Sequence, residues 1–75
     1  MLRAVFLEEL QDILQRDEPI TPDMALQDIE EWDSLAVMSC MAYFDKHFSV
    51  KTKISQYRQL RTVADLMALA NGAIT

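Results

Sequence analysis

Apolar residues recur at helical spacing through the first fourteen positions. Leu2, Phe6, Leu10 and Ile13 share one face with Leu7 and Leu14 on its flanks, while Arg3, Glu8, Glu9, Gln11 and Asp12 take most of the remaining surface. This period predicts an amphipathic helix over about Leu2 to Leu14, with one stripe turned to a core. From Gln15 to Asp33 the period is lost, and Pro19 and Pro22 stop a helix from starting early. Ile20, Met24, Leu26, Ile29 and Trp32 give this stretch too many apolar anchors for a disordered linker, so a long loop packed over helix ends is expected. Inside it, Thr21-Pro22-Asp23 is a helix-start signal and predicts a short turn near Asp23 to Leu26.

A second helix is predicted from Ser34 to Phe48, with Asp33 as its N-cap. Val37, Cys40, Met41, Phe44 and Phe48 form its core stripe, and Leu35, Met38 and Ala42 fall on a different face beside Ser34. That second stripe reads either as a helix buried on two sides or as a docking surface, since exposed apolar groups beside a site often mark where a partner sits. After a connector with Lys51 and Lys53, Ser55 is expected to cap a short helix through about Leu60, with Tyr57 and Leu60 turned inward. Thr62, with Asp65 three residues on, resembles a capping box and opens a last helix through Val63, Leu66, Met67 and Ala70, which Asn71-Gly72 ends.

Size and charge narrow the function. Seventy-five residues suit one small domain, 1–75, which buries only about 60% of the surface its unfolded chain exposes. A roomy enzyme pocket is not expected. Cys40 has no partner for an internal disulfide, and Glu8 and Glu9 interrupt the apolar run a secretion signal needs, which together suggest a cytoplasmic protein. No apolar segment approaches a membrane span. Ten of the twelve acidic residues lie at or before Asp33, whereas Lys46, Lys51, Lys53, Arg58 and Arg61 all follow it, so the two parts carry opposite net charge. The basic part lacks the density and aromatic interleaving of a nucleic-acid site.

The chemistry converges on Ser34. As the first helical residue after an Asp cap, its hydroxyl sits where backbone N–H groups point outward and the helix dipole is positive, which suits a phosphoester. Ser34 is not set up as a nucleophile of its own. His47 lies thirteen residues along the same helix, roughly 20 Å away at 1.5 Å per residue, far beyond a hydrogen bond. No metal-ligand cluster is evident, Cys40 falls in the core stripe as a buried thiol, and His47 suits the negative end of the helix dipole.

Asp33-Ser34-Leu35, the long anchored loop before it, the apolar helix after it and the entry Leu60-Arg61-Thr62-Val63-Ala64-Asp65-Leu66 together resemble acyl carrier proteins over nearly the whole chain. The resemblance implies an all-α, four-helix bundle, three longer helices plus a short third, with the long loop between helices one and two. It also implies that Ser34 carries covalent 4′-phosphopantetheine, flanked by Asp33 and Leu35, and that the protein is a carrier and not an enzyme. Leu35, Met38 and Ala42, with Trp32 beside them, become the expected partner-docking residues. The implied partners are a phosphopantetheinyl transferase acting with Mg²⁺, an acyl- or aminoacyl-activating ligase, and the synthases and transferases that use the thioester, all visited by a monomer.

Departures from that family bear on which partners. Ala36 and Ser39 stand where acidic residues are common in carriers of primary fatty acid synthesis, Trp32 replaces a small residue, and Lys53-Ile54 replaces proline and acids. These features resemble a freestanding carrier of a specialised lipid, polyketide or secondary pathway. The alternatives are an aminoacyl or peptidyl carrier loaded by an adenylate-forming ligase and, in another class, an unmodified helical interaction module. Asp28, Glu30 and Glu31 read as a solvated acidic loop suited to steering a basic partner.

Overall fold

Phe6, Leu10 and Leu14, each four residues from the next, form the line along which α1 (Arg3–Leu14) is buried in the computed structural model, which describes residues 1–75. The helix starts one residue later than the apolar pattern suggests. Leu2 is left outside it and exposed, and Ile13 is half-buried, so the core line runs through Leu14. α2 (Ser34–Phe48) faces α1 with Ala36, Cys40 and Phe44. Its buried line is thus rotated from the expected stripe: Val37, Met41 and Phe48 are only half-buried around the core, and Ala36, read from sequence as a surface position, is interior. Phe6 meets Phe44 edge-to-face at 5.9 Å and Tyr43 at 6.0 Å, the favourable geometry for aromatic pairs.

The two remaining helices are both short, five and six residues, where the resemblance implies that only the third is short, and they owe their positions to caps. α3 (Ile54–Arg58) begins one residue before the expected cap at Ser55, because the side chain of Gln56 accepts a 2.7 Å hydrogen bond from the N–H of Lys53 and closes the first turn from there. Tyr57 is its buried residue, and Leu60 lies beyond its end, half-buried. α4 (Val63–Ala68) opens on the expected capping box. Thr62 Oγ1 accepts from the N–H of Asp65 at 3.2 Å, and Asp65 Oδ2 accepts from the N–H groups of Thr62 at 3.2 Å and Arg61 at 3.1 Å. Regular helix stops at Ala68, but tighter turns carry the chain on and keep Ala70 buried before Asn71 and Gly72 turn it with φ of 55° and 89°.

The loop from Gln15 to Asp33 is tied to the start of α4. Leu26 N–H donates to the Arg61 carbonyl and Val63 N–H to the Met24 carbonyl, both at 2.9 Å, around an isolated antiparallel bridge between Ala25 and Thr62. Residues held in this way are extended, so the helical turn expected near Asp23 to Leu26 forms later, as a single 3₁₀ turn at Leu26–Asp28. Ile20, Leu26 and Ile29 sink into the common core. The architecture is an all-α bundle of four helices, and no helix is long and apolar enough to cross a membrane.

Phe44→Ala is expected to lower the unfolding free energy by about 3–5 kcal/mol, because it empties the centre of the α1–α2 contact. Thr62→Ala should cost about 1 kcal/mol, the worth of one cap. Urea midpoints at constant m-value check both.

Candidate functional site

Asp33 leaves the loop with extended backbone and turns its carboxylate onto α2, where Oδ1 accepts a 2.9 Å hydrogen bond from the N–H of Ala36. That bond satisfies the third N–H of the helix. The N–H groups of Ser34 and Leu35 have no partner within the fold, and both side chains are exposed. Ser34 is therefore a free hydroxyl on the first residue of a 15-residue helix.

The start of α2 is held from two sides. The Arg61–Leu26 and Met24–Val63 hydrogen bonds fix the middle of the loop to α4, and the loop's last turn is closed by Trp32 N–H donating to the Ile29 carbonyl at 3.0 Å. Two residues past α1, at the beginning of the same loop, the largely buried guanidinium of Arg16 donates to Glu31 Oε1 at 2.8 Å. The Arg16 hydrogen bond holds the Glu31 carboxyl below its usual pKa, with the Glu31 backbone N–H adding to it. Glu31 is thus engaged within the chain, while Asp28 and Glu30 are exposed, so the acidic loop is smaller than expected.

Two grooves flank the serine. Ser34 itself lines one of about 420 Å³, between α2 and α3, with Trp32, Val37, Met38, Ile54, Tyr57 and Arg58. A second, of about 430 Å³, lies toward α1 and is lined by Leu35, Ala36 and Ser39 with Ile13, Leu14 and Glu31. Leu35 is 73% and Met38 60% exposed, Ala42 is exposed beyond them, and Ile54 adds a further large apolar residue at 51%. Trp32 is half-buried, packing on the core while lining the first groove. Ile54, Tyr57 and Arg58 escape a sequence reading because they lie twenty or more positions from Ser34 and join it only when α3 docks beside α2.

Other reactive side chains are engaged elsewhere. His47 stacks on Tyr43 at 4.2 Å near the far end of α2. Cys40 is buried, and burial pushes its thiol up to about 12, so it is a neutral, shielded group at ordinary pH. Tyr57 is raised as well, first by burial, with its hydrogen bond to Thr52 opposing the shift. No three His, Cys, Asp or Glu side chains come together as a metal site.

A family model described as phosphopantetheine attachment site matches residues 4–70. The chain belongs to this phosphopantetheine attachment family. Its cofactor is covalently attached 4′-phosphopantetheine, and it is a carrier and not an enzyme. The carrier's fold is also similar to that of a solved structure, the holo acyl carrier protein from Geobacter metallireducens, with a TM-score of 0.70 and 24% identity over 89% of this chain and 78% of that one. No curated protein matches the carrier's sequence.

Two carboxylates make the carrier acid-sensitive. Glu31, lowered by Arg16, and Asp65, lowered by the Arg61 and Thr62 N–H groups, stabilise the fold fully above the ordinary carboxylate pKa. The contribution is lost as pH falls below about 4 and through the lowered values. Urea midpoints against pH should show this loss, and Glu31→Gln should make it shallower. Cys40 should resist iodoacetamide at pH 8 in the native protein and react once it is unfolded.

Proposed function

We propose that Ser34 is the residue that bears the phosphopantetheine, and that the protein presents acyl groups on that arm to partner enzymes of a specialised pathway. The observation that carries the reading is the free Ser34 hydroxyl on the first residue of a capped helix, beside unpaired N–H groups and an open groove. These features fit a phosphodiester-linked arm. The N–H groups of Ser34 and Leu35 can receive phosphate oxygens, Asp33 keeps the first turn of the helix in place, and the exposed side gives the arm room to swing.

The carrier does not activate its own serine. No base lies within hydrogen-bonding reach of Ser34, so the phosphopantetheinyl transferase must remove the hydroxyl proton. In that step Ser34 Oγ bonds to the phosphorus of the pantetheine half of coenzyme A, the pyrophosphate P–O bond breaks, and adenosine 3′,5′-bisphosphate leaves with the electron pair. Once attached, the group supplies a terminal thiol, which holds an acyl group as a thioester with an activated carbonyl. What this chain adds is tethering, which raises the effective concentration of the cargo at each docked enzyme, and a surface by which those enzymes find it.

Leu35, Met38 and Ala42, with Trp32 at the groove, are the surface we assign to docking. Their exposure beside Ser34 supports this, since apolar side chains left in water around a site gain from a partner's cover. A specialised pathway is supported by the basic side chain of Arg58, which lines the groove from α3, and by Ser39 where carriers of primary fatty acid synthesis commonly have an acidic residue on this helix.

Incubation of the carrier with coenzyme A, Mg²⁺ and a broad-specificity transferase, followed by intact-mass measurement, should add one phosphopantetheine. Ser34→Ala should abolish the gain while leaving the thermal midpoint within a few degrees of wild type. Met38→Glu should load with unchanged stability yet transfer its cargo at least about tenfold more slowly, if a hot-spot side chain has been removed.

A further inference from the structure

The groove beside Ser34 ends blindly. Trp32, Val37, Met38 and Ile54 wall it, and Tyr57 lines it while being only 4% exposed, so the tyrosine ring forms its floor. The ring is held at its far end, where the Tyr57 and Thr52 hydroxyls are 2.8 Å apart. Cys40, Phe44 and Leu66 belong to the same core as this ring and are essentially inaccessible to solvent. An alkyl chain entering the bundle from the arm's side would have to turn the tyrosine out, break that hydrogen bond and force apart a packed interior. An alkyl chain left in the open groove touches its apolar walls on one side and stays wet on the other. A small or polar cargo suffers no such exposure.

We propose that Tyr57 bars cargo from the helix bundle, so that this carrier serves small acyl groups, aminoacyl groups among them, which ride in the open groove between α2 and α3. The proposal rests on Ser34 as the attachment point. The ring does the closing, and its packing in the core holds it in place, with the hydroxyl's hydrogen bond to Thr52 a secondary tie.

A transferase that accepts acylated donors can load the carrier from acetyl- and decanoyl-coenzyme A, with intact mass reporting attachment. Hydroxylamine cleavage of each thioester is then compared with that of its free coenzyme A ester, alongside amide chemical shifts. In the wild type both cargoes should be cleaved within about twofold of their free esters, and shifts should be confined to the groove, because no methylenes are fully withdrawn from water. Tyr57→Ala should protect decanoyl by about tenfold or more and move the amides of Cys40 and Leu66, while Tyr57→Phe, which keeps the ring, should behave as wild type. Strong protection of decanoyl in the wild type, with shifts at Cys40, Phe44 and Leu66, would overturn the proposal. So would a folded Tyr57→Ala that gives no protection. If that variant fails to fold, the wild-type comparison decides alone. Absence of any mass gain is a separate result, which removes the attachment reading itself.

Discussion

A helix cannot satisfy its own first N–H groups, and the arrangement around Ser34 follows from how this chain disposes of them. Asp33 takes one, at Ala36, and leaves those of Ser34 and Leu35 without a partner in the fold. The cap also needs extended backbone at Asp33, which the preceding loop must deliver at the right place. That demand explains why nineteen residues without regular α-helix (Gln15 to Asp33) are nevertheless anchored by three buried apolar side chains, three backbone hydrogen bonds to the start of α4 and an Arg16–Glu31 ion pair that ties the loop's beginning to its end.

The division of labour between interior and surface suits a carrier. The interior is a single cluster centred on Phe6, Phe44 and Leu66 that contains no charged side chain, the largely buried Arg16 guanidinium being paired with Glu31 outside it. The elements proposed to carry function cluster on the surface around one end of α2: a hydroxyl, two free N–H groups, a groove and several exposed apolar side chains. A partner can therefore cover, modify or release this end without disturbing the packing that stabilises the fold. Cys40, the chain's own thiol, is shut inside that packing, so it does not compete with a thiol carried on the arm.

Features that depend on close neighbours along the chain are legible in the sequence. The Asp33 cap, the Thr62 and Asp65 capping box, the loss of helical period between Gln15 and Asp33, and the existence of a separate Leu35, Met38 and Ala42 face all follow from spacings of a few residues, although only the fold leaves that face exposed. Expectation and fold part where a side chain or strand from elsewhere intervenes. Gln56 moves the start of α3 ahead of Ser55, the bridge to Thr62 keeps Ala25 extended and displaces the short turn to Leu26–Asp28, and Arg16 engages Glu31, which reads from sequence as a free acid. The burial of Ala36 belongs with these, because rotation of α2 about its axis is set by how it packs on α1.

By itself the sequence determined that the chain is helical, where its main helices begin and that Ser34 follows a capping aspartate, since caps and amphipathic periods act over a single turn of chain. Tertiary structure alone decided that α3 brings Ile54, Tyr57 and Arg58 beside Ser34 and that a buried tyrosine closes the resulting groove. The physical reason is that a groove is a relation between packed surfaces, and packing joins residues whose separation along the chain carries no periodic trace.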